Sequence, residues 1–453
     1  MEQRFFDQFF RSAPAEIDVE AIRREWLSLK PPYRIDDRRL PLPVWARRDF
    51  TETGEQAWAV LSHDVGRIDP CKPFCIYVHV PFCTSRCGFC DCYCFALRRY
   101  RTRHIEGYLA TLTQEMRAWS RLGSLASRPV STVHFGGGTP TFLDVEPFSR
   151  LVQELRARFH IESQTEWALE STSSELTDEM FFQLDALGFT RLHIGVQSLE
   201  DSVRRLVSRR EPAAIVLEKI ARAVEMGWVV SVDLIFGLPG QSPAGLLNDI
   251  RSLAETGVDG FSLYELQLSS RNRKFAEQHG LIGRARLGNY LLIQAASRLL
   301  TALGYRKTLF NHFAREEDTN LYFTFPERGE DCLALGAIAD GVFDDYHYRH
   351  PEYTAYCQGV DEALFPALQG GLRRNDLENG LHLVETAILA GCIPSKLLSD
   401  VLGEVHARKL LRQWQESALI EDDTPHGYLR LTTNGSWFAG NMMAQLSARN
   451  FGS

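Results

Sequence analysis

The chain has 453 residues, of which 44% are hydrophobic and 24% are charged, and its formal net charge is -8. A single hydrophobic core stops growing at about 250–300 residues, so this length predicts one large domain with smaller additions. The negative charge argues against a protein that binds nucleic acid through its phosphates, because such binding needs a basic surface. The sequence has no run of about 18 uncharged apolar residues and its start does not resemble a secretory signal, so we expect a cytoplasmic protein without membrane contact.

The first segment of the chain has no strong hydrophobic period. Residues 1–70 are polar, dotted with aromatic side chains and interrupted by proline, as in KPPYRIDDRRLPLPVW. We interpret this segment as an N-terminal arm that packs on the main domain, near its mouth.

A regular alternation of two patterns follows the arm. Short apolar segments typical of strands alternate with amphipathic segments typical of helices, such as PFSRLVQELRARF. Six such β-α units in series favour a parallel sheet, and right-handed crossovers would curl it into a partial (β/α)6 barrel, an open relative of the TIM barrel. We therefore predict an α/β fold with this barrel over residues 71–270. The candidate strands lie at 74–80, 131–137, 165–170, 190–196, 229–235 and 261–266.

The remainder of the chain divides into two further regions. Residues 271–370 combine helical and irregular segments, which we interpret as a barrel extension that shapes the substrate pocket. Residues 371–453 contain helical patterns, a short strand and a final helix, which is typical of a winged-helix-like α+β domain.

A cysteine cluster directly follows the first candidate strand. Cys83, Cys87 and Cys90 form a C-x3-C-x2-C run, and seven of the ten cysteines lie between positions 71 and 94. Three thiolates on one loop can bind three corners of a 4Fe-4S cubane and leave the fourth iron free to chelate S-adenosylmethionine (SAM). The alternative is a structural zinc site that includes Cys92 or Cys94, although the second C-x2-C pair typical of such sites does not follow. We expect neither of these two residues to be a ligand, and we expect the other thiols to be buried or half-buried, namely Cys71, Cys75, Cys332, Cys357 and Cys392.

Polar residues occupy one face of strands that would be apolar on both faces in a filled barrel. Side chains alternate across a strand, so one face of each candidate strand is apolar and the other carries polar groups. A shared polar inner face predicts a solvated cavity for a polar ligand. Each histidine alone is more often a satisfied core residue, but together His79, His134 and His193 are candidate proton shuttles. The inner face carries Tyr77, His79, His134, Glu166, Glu170, His193, Gln197, Ser231 and Asp233.

The second candidate strand ends in three consecutive glycines followed by Thr139. Successive glycines allow the backbone to approach a ligand closely, although a tight strand-to-helix turn would explain them equally well. The Lys-Ser/Thr pair of a phosphate-binding loop does not follow, so the sequence gives little support to ATP binding.

Several segments resemble, in order, the radical SAM group typified by oxygen-independent coproporphyrinogen III dehydrogenase. The first runs from Tyr77 through the cysteine loop to Cys92, and the similarity covers about residues 74–446. The other segments are HFGGGTPT at 134–141, ALESTSSELT at 168–177, RLHIGVQSLEDSVRRLVSRR at 191–210, DLIFGLPGQ at 233–241, GEDCLALGAIADG at 329–341 and the C-terminal LTTNGSWFAGN.

The resemblance implies roles for individual residues. Cys83, Cys87 and Cys90 would ligate the cluster, Tyr77 would lie against the SAM bound to it, and a second SAM would bind near Phe323, Ala337 and Ile338. The family also implies an electron donor of the flavodoxin or ferredoxin type and a small-molecule substrate, and we expect a monomer. The residues that match SAM contacts are Gly137, Gly138, Thr139, Glu170, Gln197, Arg209 and Asp233.

Departures from the family pattern guide the choice of reaction. The arm lacks the G-P-R-Y-T-S-Y-P stretch of coproporphyrinogen dehydrogenases, and the H-N-x-x-Y-W pattern of related haem chaperones is also missing. The leading hypothesis is therefore a methyltransferase-like reaction, in which a second SAM supplies a methyl or methylene group to an sp2 carbon of an aromatic or heteroaromatic substrate. The alternatives are oxidative decarboxylation or another radical modification of a tetrapyrrole, and a haem-binding chaperone.

Overall fold

The computed structural model describes residues 2–11, 15–31, 33–97, 102–283, 286–359, 366–423 and 427–447. Its strands are β1 (Glu52–Thr53), β2 (Phe74–Val80), β3 (Phe82–Cys83), β4 (Phe95–Ala96), β5 (Val130–Gly137), β6 (Glu166–Ser171), β7 (Arg191–Gln197), β8 (Val229–Phe236), β9 (Gly260–Glu265), β10 (Arg306–Lys307), β11 (His312–Ala314), β12 (Asp331–Leu335), β13 (Asp340–Phe343), β14 (Tyr346–Arg349), β15 (Gly370–Arg373), β16 (Cys392–Pro394), β17 (Ile420–Asp423) and β18 (Tyr428–Leu431).

The helices alternate with the strands in the barrel and cluster at both ends of the chain. They are α1 (Glu2–Phe9), α2 (Val19–Ser28), α3 (Gly54–Asp64), α4 (Thr102–Trp119), α5 (Val145–Arg158), α6 (Asp178–Ala186), α7 (Asp201–Leu206), α8 (Ala213–Glu225), α9 (Pro243–Glu255), α10 (Arg273–Gln278), α11 (Leu287–Ala302), α12 (Leu321–Thr324), α13 (Tyr353–Gly359), α14 (Asp376–Ala390), α15 (Leu397–Leu402), α16 (Glu404–Glu416), α17 (Thr433–Trp437) and α18 (Ala439–Ser447).

The centre of the molecule is the parallel sheet that the sequence predicts. Strands β2, β5, β6, β7, β8 and β9 lie side by side in this order, and each pairs in parallel with the next. Each of the six predicted strands overlaps an observed one, and the first has the predicted bounds, Phe74–Val80. The parallel order and the helices between the strands confirm the partial (β/α)6 barrel.

The two faces of these strands differ as the alternation predicts. The apolar side chains pack in the main core, where Phe135 lies 5.2 Å from Phe148 of α5 and 5.8 Å from Phe189 between ring centroids. Burying one such aromatic side chain contributes about 1.5–3 kcal/mol. On the opposite face, the polar side chains of Glu170, His193 and Asp233 line a cavity.

The region after the barrel extends the same sheet. Strand β12 pairs in parallel with β2, on the side opposite β5, and β13, β14 and β15 continue the sheet with antiparallel pairs. Strand β1 of the arm pairs with β15, and within the described residues this sheet contains thirteen strands. The division into regions 1–70, 71–270, 271–370 and 371–453 stays a prediction.

The arm contains three helices that the sequence reasoning missed. Asp18 caps helix α2, because its carboxylate accepts a hydrogen bond from the Ala21 N–H, and α3 begins with a capping box between Thr53 and Gln56. The cap patterns at Asp18 and Thr53 were the available sequence signals for α2 and α3, because these helices are too short to show a clear hydrophobic period. Farther along the arm, Tyr33 donates to the side chain of Gln445 at 2.6 Å, which attaches the arm to the last helix.

The C-terminal region is a compact α+β unit. Helices α14, α15 and α16 pack beside the antiparallel order β16-β18-β17, in which β17 and β18 form a hairpin. Trp414 and Leu410 of α16 are buried in the core, whereas Leu411 of the same helix is only half-buried. Three helices followed by a two-stranded hairpin agree with the predicted winged-helix-like arrangement.

Candidate active site

A cavity of about 770 Å³ opens where the barrel strands end and the cysteine loop begins. Strands β5 to β8 present their carboxyl ends to it, which is the end where barrels of this type keep their active sites. It brings together most of the predicted site residues, namely Cys83, Cys87, Cys90, Gly137, Gly138, Thr139, Glu170, His193, Gln197, Arg209 and Asp233.

The cysteine loop is closed at its base by a short parallel pair. Strand β3 pairs with β4, and the backbone N–H of Leu97 donates to the carbonyl of Cys83 at 2.9 Å. The N–H of Cys90 donates to the carbonyl of Cys87 at 3.1 Å and forms a turn. These bonds place the three predicted ligands on one wall of the cavity.

The two additional cysteines of the loop lie against the predicted ligands. Hydrogen bonding with the Cys94 thiol lowers the pKa of Cys83, and hydrogen bonding with the Cys92 and Cys94 thiols lowers the pKa of Cys90. Burial instead raises the pKa of Cys87. Two of the three predicted ligands are therefore biased toward the thiolate, which is the form that binds iron. Cys71, which we expected to be at least half-buried, is exposed because it lies in the turn before β2.

A zinc site and a cubane make different demands on these side chains. Among the described residues, no three histidine, cysteine or carboxylate groups converge closely enough to bind one metal ion. A zinc site needs four ligands around a single atom, whereas a cubane distributes its thiolates over separate corners.

The glycine turn packs directly against the start of the cysteine loop. The N–H of Gly138 donates to the Val80 carbonyl at 2.8 Å, and the N–H of Thr139 donates to the Phe82 carbonyl at 2.8 Å. A Cβ atom at Gly138 would lie 2.6 Å from the Phe82 carbonyl oxygen, so no larger residue fits there without movement. The hydroxyl of Thr139 lies 3.5 Å from the Cys83 sulfur.

Three polar side chains of the barrel strands, Glu170, Gln197 and Asp233, line the cavity together with Arg209, which follows α7. A β-bulge at the end of β7 and a left-handed backbone, with φ of 67° at Gln197, turn this side chain inward. In the amide orientation that satisfies both partners, its oxygen accepts from Arg209 at 3.1 Å and its nitrogen donates to the Asp233 carbonyl at 3.3 Å. Burial, reinforced by the charge of Glu170, raises the pKa of Asp233 to about 7.

Most of the candidate proton shuttles, and Tyr77, lie outside the lining of the cavity. His193 lines it, whereas Tyr77, His79 and His134 are outside its lining. The Tyr77 hydroxyl lies 3.1 Å from His79 Nδ1, and His134 Nε2 lies 3.1 Å from a carboxylate oxygen of Glu170. Burial lowers the pKa of His79 to about 4 and that of His193 well below 6.5, so both imidazoles are neutral at pH 7.

The residues predicted beside a second SAM divide into two places, both outside the lining of the cavity. Phe323 of α12 lies against the inner face of the barrel, with its ring centroid 5.8 Å from His134 and 5.9 Å from His193. Ala337 and Ile338 form the turn after β12, where the Ala337 N–H donates to the Tyr108 hydroxyl at 3.2 Å.

Sequence reasoning did not identify two residues that organise this centre. Tyr322 stacks on His134 at 4.3 Å and on Tyr77 at 5.1 Å between ring centroids, so α12 covers the inner face of β2 and β5. Arg204 is buried and donates to the carbonyls of Val196 and Ser198, which holds the segment after β7. The arginine-rich run RRLVSRR was a sequence signal for Arg204, but no hydrophobic period marks Tyr322.

Comparisons with known proteins agree with this geometry. A model of the radical SAM superfamily matches residues 77–253. The oxygen-independent coproporphyrinogen III oxidase of Escherichia coli K12 is 31% identical over 333 residues, which are 69% of this chain and 70% of that protein. The Salmonella typhimurium protein of the same name is 31% identical, and the match spans 66% of its length. The anaerobilin synthase of Escherichia coli O157:H7 is 26% identical over 439 residues, which are 93% of this chain and 95% of that protein.

A solved structure extends the similarity to the whole fold. Coproporphyrinogen III oxidase from Escherichia coli, which is a radical SAM enzyme, superposes with a TM-score of 0.75 at 26% identity, over 88% of this chain and 95% of the other. None of the described helices is both long and apolar enough to cross a membrane. The chain therefore belongs to the radical SAM superfamily, in the group of the oxygen-independent coproporphyrinogen III oxidases, and is an enzyme that uses a 4Fe-4S cluster and SAM.

Proposed function

We propose that this enzyme modifies a tetrapyrrole by radical chemistry, with its cluster bound by Cys83, Cys87 and Cys90. The observation that supports this proposal most strongly is similarity over almost the full chain to an anaerobilin synthase, together with 31% identity to coproporphyrinogen III oxidases. Both names refer to tetrapyrrole compounds. The tetrapyrrole alternative is therefore preferred over methylation of a natural-product aromatic, for which the relatives provide no support.

The chemistry of the cavity fits the proposed cofactors. The lining combines the cysteine thiols with several charged side chains, among them the cation Arg209 and the carboxylates Glu170 and Asp233. A cluster bound there supplies one electron for the reductive cleavage of SAM to a 5'-deoxyadenosyl radical. In this proposal Arg209 binds the SAM carboxylate, and Glu170 and Asp233 accept hydrogen bonds from the ribose hydroxyls.

The protonation state of Asp233 supports its part in the proposal. With its pKa near 7, the carboxyl group is partly protonated at neutral pH in the protein alone. A ribose hydroxyl that donates to Asp233 favours the charged form and would lower this pKa. SAM binding at this place should therefore release a proton.

The histidines of the barrel are better suited to positioning than to carrying protons. His79 holds the Tyr77 hydroxyl, and His134 holds the Glu170 carboxylate. His193 lines the cavity with its Nε2 buried and without a hydrogen-bond partner among the described residues. We therefore assign His193 to a contact with SAM or substrate, and His79 and His134 to the orientation of Tyr77 and Glu170.

The place of a second SAM remains a proposal. Phe323 lies against His134 and His193, whereas the Ala337–Ile338 turn follows Gly336, which lies against His79. Ile338 adopts a left-handed backbone with φ of 57°, a strained conformation that is common in ligand-binding turns.

An anaerobic assay tests the proposed function. Reconstituted enzyme is mixed with SAM, a reductant and either coproporphyrinogen III or haem, and 5'-deoxyadenosine and the tetrapyrrole products are measured. We expect a tetrapyrrole to increase 5'-deoxyadenosine formation and to be converted into a new product. No conversion of either compound would contradict the proposal.

The same assay with SAM deuterated in its methyl group identifies the reaction type. Deuterium in the tetrapyrrole product indicates methyl or methylene transfer, and unlabelled product indicates oxidation or decarboxylation. Stable binding of haem in the absence of any SAM cleavage would instead favour a haem carrier.

A further inference from the structure

A second cavity, of about 240 Å³, lies where the arm, the barrel and the C-terminal region meet. Arg38 of the arm, Tyr264 of β9, Lys307 of β10 and Trp437 of α17 all line it, together with Phe310. These residues are far apart in the sequence, so the cavity exists only in the assembled chain.

This cavity lies next to the proposed active site. Tyr264 is on its wall, and the charges of Asp233 and Glu170 are close enough to this residue to raise the pKa of its hydroxyl, after the larger effect of burial. Asp233 and Glu170 both line the 770 Å³ cavity. The two cavities also share a strand, because Phe236 of the small cavity and Asp233 of the large one both belong to β8.

Lys307 brings an unpaired cation to this wall. In the part of the chain that the structure describes, the Lys307 ammonium group forms no hydrogen bond or ion pair. It lies 5.3 Å from the centroid of the Phe313 ring. The side chain is half-buried, and burial together with the charge of Arg38 lowers the pKa of Lys307 to about 7. Such an amine gains strongly from an anionic partner, because a carboxylate would stabilise its charged form.

The charge of Arg38, the other cation in the lining of this cavity, is already neutralised by an ion pair. Arg38 forms an ion pair with Glu265, donates to the Trp437 carbonyl at 3.0 Å and lies 4.0 Å above the Trp437 ring. Arg38 therefore holds the aromatic wall in place, and Lys307 is the cation that remains for a ligand.

The other walls suit the flat apolar part of a ligand. Trp437 and Phe310 provide aromatic surface, and Leu40 and Pro41 of the arm provide aliphatic surface. A volume of about 240 Å³ is too small for a whole tetrapyrrole but large enough for one ring edge with its acidic side chain.

We propose that this second cavity is a carboxylate subsite of the substrate pocket, in which the Lys307 ammonium group binds an acidic side chain of the tetrapyrrole. The proposal rests on the proposed function, because the ligand it names is the substrate class of that function. Arg38, Phe310 and Trp437 shape the subsite, and Lys307 supplies its charge selectivity.

Binding of two porphyrins to the reconstituted holoenzyme tests the subsite. The probes are coproporphyrin III, which carries free carboxylates, and its tetramethyl ester, which does not, each titrated anaerobically by porphyrin fluorescence. Lys307→Gln should weaken binding of the acid about 10- to 100-fold, because a hydrogen-bonded charge pair is lost. Binding of the ester should be unchanged, and Lys307→Arg should retain most of the affinity for the acid.

Arg306→Gln is the matched control, since Arg306 precedes Lys307 on the same strand with a side chain that is 71% exposed. Formation of 5'-deoxyadenosine from SAM without substrate should be equal in all variants, which verifies that each one is folded and loaded. Equal binding of the acid by the wild type and Lys307→Gln would overturn the subsite and leave the proposed function standing. Equal loss of acid and ester in Lys307→Gln would also overturn it, and a wild type that binds neither probe would contradict both.

Discussion

Arg209 and Gln197 are joined by a hydrogen bond of 3.1 Å at the wall of the large cavity, with the guanidinium as donor. The Nε atom of Arg209 is buried and has no hydrogen-bond partner among the described residues. Its guanidinium also lies 5.8 Å from the Phe89 ring centroid, so the loop and the end of β7 orient it together. Arg209 is thus an oriented cation with a donor still available for a ligand.

Replacing Arg209 should weaken SAM binding without removing the cluster. We expect Arg209→Gln to raise the dissociation constant of SAM about 10- to 100-fold, because a charge-assisted hydrogen bond contributes about 1.5–3 kcal/mol. Anaerobic calorimetry of the holoenzyme measures this constant, and iron content should match the wild type. The exposed Arg205 provides the matched control Arg205→Gln, and equal SAM affinity in both variants would contradict the assignment.

Individual alanine variants of the cysteines should separate ligands from neighbours. Cys83→Ala, Cys87→Ala and Cys90→Ala should each lose most of the iron and the iron-sulfur absorption after reconstitution, because each removes one of three thiolates. Cys92→Ala should retain the cluster, since this residue is predicted not to be a ligand. The exposed Cys71 gives the control Cys71→Ala, and loss of iron in Cys92→Ala would place a fourth thiol in the ligand set.

Asp318 lies in a buried charge cluster inside the barrel, so we expect its replacement by asparagine to destabilise the protein. Asp318 pairs with Arg191, accepts from Ser231 at 2.8 Å and lies 2.8 Å from His312 Nε2. Asp318→Asn should lower the free energy of unfolding by about 3–5 kcal/mol, because it leaves Arg191 with less compensation in a buried place. Urea unfolding at pH 7 measures the loss, and Glu316→Gln, at an exposed neighbouring carboxylate, should change stability little.

The pH dependence of the same variant follows from its pKa. Burial opposes the charged form of Asp318, but the His312 hydrogen bond and the Arg191 charge outweigh it and hold the pKa of Asp318 below its usual value. A lowered carboxyl pKa contributes stability above the unfolded value, near 4, and this stability is lost as the pH falls further. The stability difference between the wild type and Asp318→Asn should therefore shrink below about pH 4.

His347 should contribute to destabilisation by acid in a different pH range. Its ring stacks on Trp45 of the arm at 3.6 Å between centroids, and burial lowers its pKa to about 2, with a further contribution from Arg374. The unfolded chain takes up this proton below about pH 6.5 and the native chain does not, so stability falls as the pH decreases. His347→Phe should keep the stacking and reduce this slope by up to about 1.4 kcal/mol per pH unit. Urea unfolding from pH 7 to 5 tests this, with the exposed His63→Phe as control, and an unchanged slope in His347→Phe would contradict it.

The parts of the fold that follow a simple period could be predicted from the sequence. Strands such as β7 (Arg191–Gln197) alternate between core and cavity, so the sequence predicted their polar faces and their bounds to within one residue. The cavity wall was predictable for the same reason, because Glu170, Gln197 and Asp233 occupy equivalent ends of neighbouring strands.

The parts that depend on distant pairing could not be predicted. Strand β12 carries no signal that it pairs with β2, and the 240 Å³ cavity combines residues from the two ends of the chain, such as Arg38 and Trp437. Tyr322 lies in a helix of four residues, which is too short to show a period. The expected burial of Cys71 was wrong because adjacent strand residues do not determine the exposure of a turn.

The pairing of β2 with β12 has a consequence for how the protein is synthesised. Phe74 lies beside Asp331, so one edge of the first barrel strand stays open while about 250 further residues leave the ribosome. Throughout that interval its backbone N–H and C=O groups can pair with strands of other nascent chains. We expect fragments that stop before position 331 to aggregate, and the complete polypeptide to depend on chaperones until its late strand arrives.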